Sequence, residues 1–319
     1  MAKRILTLTL NPALDLSSTA DAVEPTHKIR TTDEHIDPGG GGINVARVIH
    51  AMGFDVMALI LAGGVTGHLL DELLAEQQVP RRILPMQGRT RISLTVYDRT
   101  SGLEYRFVPE GPILSADELE AAIAAVDHAE SEWLIASGSI PRGVPADIYA
   151  RLARNAADRG RKFVLDTSGE PLKLALHHGV HLMKPSLREL ETMVGRPLPT
   201  REVQEAEALG LVRSGAARMV AVSLGADGAM LATEDGVVHM PALKGPVRSA
   251  VGAGDAFLAS LTLALARGAD PSDALAWGIA AGAAAVAQVG TARVTRRSVE
   301  AQYQRLRDQT DAYTSRPKH

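Results

Sequence analysis

The sequence predicts an α/β fold: a mostly parallel sheet covered by helices on both faces, with a small antiparallel β layer beside it. Two observations carry that expectation. Short β-rich apolar runs alternate with helix-forming stretches over most of the chain, and such alternation builds parallel sheets through crossover helices. One interval breaks the rule. Residues 91–97 and 103–108 are β-rich and joined by Asp98-Arg99-Thr100-Ser101-Gly102, with no helix between them. That pattern is a hairpin lying outside the main sheet, as a layer or lid.

Composition narrows the function classes. The chain has 319 residues, 45% hydrophobic and 22% charged, with a formal net charge of −3. No basic patch or tail marks a nucleic-acid or membrane-surface protein, and 3% aromatic residues are too few for base-stacking platforms. Cysteine is absent, so disulfides, thiolate metal sites and cysteine nucleophiles are excluded. Met1-Ala2-Lys3-Arg4 leads into an alternating run rather than a long apolar region, so no signal peptide is expected. The apolar stretch at 274–289 is rich in Ala and Gly and reads as a buried helix rather than a membrane span. A cytoplasmic protein is the expectation.

Residues 4–10 alternate and form the first predicted strand, broken by Asn11-Pro12-Ala13-Leu14-Asp15. Ligands of open α/β sheets gather beyond the carboxyl ends of strands, where Asp15 could accept hydrogen bonds from sugar hydroxyls; a plain turn aspartate is the competing reading. Residues 16–37 are polar, with Lys28 and Arg30 in a possible edge strand. The run Pro38-Gly39-Gly40-Gly41-Gly42-Ile43-Asn44 opens directly into a helix. Four glycines in a row cost backbone entropy on ordering, so close backbone approach is expected there. Asn44 can donate and accept, as a polyol site needs.

A strand is predicted at 56–61, then a helix at 67–77. In the β layer, Arg91 and Arg106 suit a phosphate ester if they meet, although exposed strand arginines are commonplace. Ser115 and Glu118 stand in capping-box spacing before a helix ending near 128. Strands at 133–136, 162–166, 180–183 and 218–223 follow, ending respectively in Ser137-Gly138-Ser139, Asp166-Thr167-Ser168-Gly169, Lys184-Pro185-Ser186 and Ser223-Leu224-Gly225. A helix near 145–159 separates the first two. A hairpin spans 229–240, and helices are expected at 252–267, 271–287 and 295–309.

The last motif is Val251-Gly252-Ala253-Gly254-Asp255-Ala256-Phe257. Unpaired amides and the dipole at a helix start favour an anion, and Asp255 should repel one. That conflict resolves if the anion is a transferring phosphate and Asp255 removes a proton from the attacking hydroxyl. Taken locally, a helix cap is the favoured reading of Asp255.

On the glycine run and the Gly-Ala-Gly-Asp motif together, the chain resembles the PfkB (ribokinase-like) family of sugar kinases along nearly its whole length. The segment Thr7–Asp15, Arg89-Thr90-Arg91 and Ser137–Pro141 look like its phosphosugar branch. Gly39–Gly42 without a lysine, and Tyr105-Arg106-Phe107, are most similar to the minor-type 6-phosphofructokinases. The resemblance implies a ribokinase-like three-layer α/β/α arrangement, one kinase domain over 1–319, and a β lid formed by segments 13–37 and 86–110. It implies phosphoryl transfer from ATP with Mg2+ to the C1 hydroxyl of fructose 6-phosphate. Fructose 1-phosphate and tagatose 6-phosphate kinases are the alternatives, and a catalytically idle sugar-phosphate sensor is the alternative of another class.

Residue by residue, Asp255 matches the family's base, and Gly252, Ala253 and Gly254 its anion hole. Asp15, Gly39, Gly40, Gly41, Asn44 and Ser139 match sugar-binding positions. Arg91 and Arg106 match residues near the 6-phosphate, with Lys28 and Arg30 acting across a subunit contact. Lys184, Ser186, Ser223, Gly225 and Gly228 match the nucleotide side, and Glu189 orders magnesium through water. Ser249, Val251, Ala285 and Gly290 match a potassium loop. Where the family commonly has Asn-x-x-Glu, this chain has Ser186-Leu187-Arg188-Glu189, so an altered magnesium dependence is expected. The resemblance also implies a homodimer through the lid.

Overall fold

The structure is a computed structural model that describes residues 5–288 and 294–314. The chain begins with β1 (Ile5–Thr9), β2 (Ala13–Ala20), β3 (Thr31–Gly39) and α1 (Gly41–Ala51). β4 (Val56–Ala62), α2 (Gly64–Glu76), β5 (Arg81–Pro85), β6 (Arg91–Asp98), β7 (Glu104–Phe107) and α3 (Ala116–His128) come next. The middle contains β8 (Trp133–Ser137), α4 (Ile148–Asp158), β9 (Lys162–Asp166), α5 (Glu170–Leu176), β10 (Val180–Met183), α6 (Leu187–Val194) and α7 (Arg201–Arg213). β11 (Ala217–Ser223), β12 (Ala229–Thr233), β13 (Gly236–Met240), α8 (Ala253–Ala266), α9 (Pro271–Val286) and α10 (Arg296–Thr314) complete it.

Nine strands form the main sheet in the order β13-β12-β11-β10-β9-β8-β1-β4-β5. Its pairs are parallel from β11 through β5, and β12 and β13 add to one edge in antiparallel fashion. Alternation along each strand divides its side chains between two cores. Ile5, Val56, Ala58, Ile60, Trp133, Ile135 and Val164 pack with α1, α2, α8, α9 and α10. Leu6, Leu8, Leu59, Leu61, Leu134, Ala136 and Leu165 pack with α3 to α7. Both faces are therefore covered, which is why every residue of β1 and β8 is buried. Helices α8 and α9 are apolar almost all round because they lie inside the first core. Among the described residues no helix is long and apolar enough to cross a membrane.

A second sheet, in the order β3-β2-β6-β7, stands apart from the first. Its outer pairs are antiparallel and its central pair, β2 with β6, is parallel. Here the sequence expectation needs correction. Residues 13–20 are a strand rather than a turn, so Asp15 lies inside β2. Lys28 and Arg30 lie in the exposed loop before β3 and not in an edge strand. The polar composition that hides β2 follows from its position: one face meets the site and water rather than a core. Likewise β5, an edge strand starting Arg81-Arg82, carries too little apolar pattern to stand out.

The register of the small sheet gives its two faces opposite characters. Asp15 lies beside Asp37 and Ser93, and Thr95 lies opposite Arg106. On the other face, Ile36, Leu16, Leu94 and Phe107 form one row across all four strands.

Candidate active site

The strand order lines up the polar strand ends. Ser223 ends β11, Lys184 follows β10, Asp166 ends β9, Ser137 ends β8 and Asn11 follows β1. With neighbouring strands about 4.8 Å apart, that row spans about 19 Å. It is long enough for two ligands side by side beyond the carboxyl edge of the sheet.

Asp255 sits over this row, in the first turn of α8. Gly252 is the N-cap, in the left-handed region at φ 75°, and no side chain caps the helix. The cap reading of Asp255 is thereby excluded. Its carboxylate is engaged elsewhere: Asn44 Nδ2 donates to Asp255 Oδ2 at 2.8 Å. Asp255 is half-buried, and its pKa is pushed up to about 6, chiefly by burial and then by the Asp166 carboxylate. The Asn44 hydrogen bond and Lys184 pull it down, and Asp15 pushes it up further. A carboxyl group titrating there is poised to accept a proton near neutrality.

Lys184 is buried, and its Nζ lies 3.2 Å from Asp166 Oδ1. A Cβ added to Gly254 would lie 3.4 Å from that Nζ, so the ammonium stands at the first turn of α8. Burial alone would lower the Lys184 pKa, but Asp166, Asp255 and Glu189 outweigh it and the net shift is upward. The lysine is thus firmly charged where the helix amides already favour an anion. Asp166 is raised by burial, with Lys184 opposing, Glu189 adding, and Ser137 Oγ donating at 3.3 Å.

The glycine run passes against the site at close quarters. A Cβ on Gly39 would lie 2.3 Å from the Asp15 carboxylate, and one on Gly41 would lie 2.1 Å from Ser137 Oγ. Side chains there would displace the groups that line the site, which answers why the sequence keeps glycine. Gly40, at φ 118°, turns the chain from β3 into α1 and so brings Asn44 to Asp255. Ser139 accepts from Asn11 Nδ2 at 3.1 Å, and the same amide donates to the Glu110 carbonyl at 2.9 Å.

The two arginines of the small sheet do not stand opposite each other. Arg91 opens β6 and Arg106 pairs with Thr95, four residues further along, about 14 Å of strand. Arg91 donates to the carbonyls of Pro109 at 2.7 Å and Asn11 at 3.0 Å, which anchors it. Arg106 is exposed on the face that carries Asp15. Lys28 and Arg30 are exposed in their loop.

Beyond Lys184 in the chain, Ser186 and Glu189 form a complete capping box on α6. Ser186 N and Oγ donate to Glu189 Oε2 at 2.7 and 2.8 Å, and Glu189 N donates to Ser186 Oγ at 3.3 Å. The serine is therefore a structural partner of the Glu189 carboxylate. The signal is present in the sequence as Ser-x-x-Glu. Ser186 also bridges to Ser223, and a tight turn at Gly225 and Gly228 follows. Arg248 N and Ser249 N donate to the Val286 carbonyl at 2.7 and 3.4 Å, and Val251 N donates to Ser249 Oγ at 3.2 Å. This loop rests on the carbonyl end of α9 beside Ala285, the negative pole of the helix. Gly290 lies outside the described residues.

Three residues join the site without having been singled out for it: Asp166, Asn11 and Ser137. All three carry a signal in their strand-end positions.

With this geometry in place, known proteins supply a context. Residues 9–296 match the model of the pfkB family carbohydrate kinases. The chain is 43% identical over 93% of its length to the ATP-dependent 6-phosphofructokinase isozyme 2 of Mycobacterium tuberculosis, covering 88% of that protein. It is 38% identical over 90% of its length to the protein of the same name from Escherichia coli, covering 94% of it. The crystal structure of phosphofructokinase-2 from Escherichia coli in complex with fructose-6-phosphate superposes with a TM-score of 0.90 and 36% identity, covering 96% of this chain and 99% of that one. A carboxylate at the start of a buried helix, a lysine beside it and a glycine run closing over a sheet edge thus sit on a chain that belongs to the PfkB family of carbohydrate kinases.

Proposed function

We propose that the protein phosphorylates the C1 hydroxyl of fructose 6-phosphate with ATP, giving fructose 1,6-bisphosphate. The observation that carries the reading is the Asp255 carboxyl, pushed up to about 6 at the start of α8 and within reach of both halves of the strand-end row. The sugar would lie between the small sheet and the ends of β1 and β8, against Asp15, Gly39, Gly40, Gly41, Asn44 and Ser139. Arg91 and Arg106 on the small sheet would take the 6-phosphate, Arg91 anchored to two carbonyls and Arg106 exposed.

Asp255 then removes the hydroxyl proton as the oxygen attacks, and the amides of Gly252, Ala253 and Gly254 receive charge from the transferring group. Lys184 neutralises phosphate oxygens from the nucleotide side, where Ser186, Ser223, Gly225 and Gly228 frame the ATP. Among the described residues no group of three or more His, Asp or Glu side chains could hold a metal alone. The donor set fits magnesium arriving with the nucleotide, which needs only one or two carboxylates besides phosphate and water. Asp166 and Glu189 would supply them, Glu189 through the oxygen its capping box leaves over. Bound there, magnesium would draw off charge developing on the phosphate oxygens. Ser249, Val251, Ala285 and Gly290 are the proposed potassium loop, on the strength of the α9 carbonyl end.

We further propose that the small sheet is a lid within a single kinase domain and that its apolar row is a dimer contact. Ile36, Ile92 and Phe107 are exposed at 44%, 46% and 56%, and an uncovered apolar face of this kind marks an association site. Lys28 and Arg30 lie in the loop beside that row and would reach the partner's sugar phosphate.

A coupled assay with ATP across fructose 6-phosphate, fructose 1-phosphate, tagatose 6-phosphate and fructose is expected to give the highest kcat/KM with fructose 6-phosphate. A preference for the unphosphorylated sugar would remove the roles of Arg91 and Arg106. Because Asp255 works only when ionised, kcat/KM should fall as pH drops through about 6 and level off above it. A rate that holds steady well below that pH contradicts a carboxyl base. In sedimentation experiments the wild type should run as a dimer and Phe107→Asp as a monomer; unchanged dimerisation would place the contact elsewhere.

A further inference from the structure

Arg47 is the least expected charge in the molecule. It lies on α1, whose residues from Gly42 to Ile49 are all buried, and is itself 8% exposed. Its guanidinium contacts several parts of the chain. Nε donates to Gln77 Oε1 at 2.7 Å, just past the end of α2. NH1 donates to the Pro38 carbonyl at 3.3 Å, and NH2 lies 3.6 Å from Asp37 Oδ1, both in β3. NH1 also donates to Asn44 Oδ1 at 3.3 Å, one turn earlier on the same helix.

The last contact bears on chemistry. A guanidinium can only donate, so the amide edge of Asn44 that faces Arg47 must be its oxygen. The Nδ2 edge is then turned to Asp255, where it donates to Oδ2 at 2.8 Å. With the amide reversed, Asn44 would present an oxygen to a carboxylate and an NH2 to a guanidinium, and both contacts would be repulsive. Arg47 thus removes one of the two orientations open to an asparagine. A buried ion pair adds little net stability over an apolar pair of similar size, so stability alone is a poor reason for this arginine.

We infer that Arg47 is a positioning residue for the phosphoryl-transfer base: it fixes the Asn44 amide as an obligatory donor to Asp255 Oδ2, leaving Oδ1 to take the proton of the acceptor hydroxyl. Among the described residues no protein donor contacts Oδ1. The inference rests on the reading of Asp255 as base. The charged groups around Asp255 are Asp166 at the end of β9, Lys184 after β10 and Asp15 on β2. The Asn44 hydrogen bond pulls the Asp255 pKa down, so its loss lets that pKa rise.

The test is the pH profile of kcat/KM for wild type, Arg47→Gln, Asn44→Ala and the double variant; a glutamine can donate or accept and so no longer dictates which edge Asn44 presents. Sugar phosphates and ATP also titrate near pH 6, but equally for all four, so differences between profiles report the enzyme. Losing one charge-assisted hydrogen bond should move the acid limb of Arg47→Gln to higher pH by about one unit. In Asn44→Ala the limb should move likewise, and adding Arg47→Gln should move it no further, since the arginine acts through the asparagine. An unshifted limb in a folded Arg47→Gln, or shifts that add in the double variant, would overturn the assignment and leave Arg47 as a tie between β3, α1 and α2. Should Arg47→Gln fail to fold, Gln77→Met loosens the guanidinium while keeping its charge. It should shift the limb in the same direction by a smaller amount, and an unchanged limb there counts against the proposal. Absence of any acid limb in the wild type would instead fault the base itself.

Discussion

A carboxylate held in the first turn of a buried helix is the constraint on which the rest of this structure depends. Burial favours the neutral form of Asp255, and the nearby Asp166 carboxylate favours it again. Left alone, such a group would be a weak acid with no partner. Asn44 and Lys184 oppose that drift, one by a hydrogen bond and the other by charge, and the balance leaves the carboxyl close to neutrality. Each element near the site can be read by what it adds to that balance. α1 brings Asn44, β9 brings Asp166, the end of β10 brings Lys184, and Gly252 lets α8 begin where it does.

The same economy explains the glycines. The chain crosses from the small sheet to α1 in a space where a single Cβ would strike Asp15 or Ser137. The crossing sets both the place of Asp15 and Ser137 against the glycines and the position of Asn44. The small sheet has two faces of different chemistry: Asp15, Thr95 and Arg106 share one, and Ile36, Leu16, Leu94 and Phe107 share the other.

What the sequence made legible follows from burial. Strands β8, β9 and β10 are covered on both faces, so their apolar runs are continuous and bounded by polar turns. The α3 start is written in Ser115 and Glu118 because a capping box is a local device. β2 and β5 escape such a reading, since one belongs to the small sheet and the other to an edge of the large one, and neither needs an apolar pattern. The Gly-Ala-Gly-Asp motif and the glycine run mark where the site is. They do not show that Asn44 grips Asp255 or that Lys184 pairs with Asp166, because each contact joins separate elements of the fold. Ser186 is the instructive case: its departure from a family pattern suggests a weakened magnesium site, while its spacing to Glu189 spells the capping box that the structure contains.

The central claim is that Asp255 takes a proton during transfer and does little for binding. Turnover and fructose 6-phosphate affinity should therefore separate in Asp255→Asn, which keeps the shape and the Asn44 neighbour but cannot act as a base. Measured by coupled assay and by calorimetric titration on the same preparation, kcat should fall by at least about a thousandfold, while the dissociation constant changes only severalfold. Near-normal turnover, or a loss of affinity as large as the loss of rate, would contradict the account.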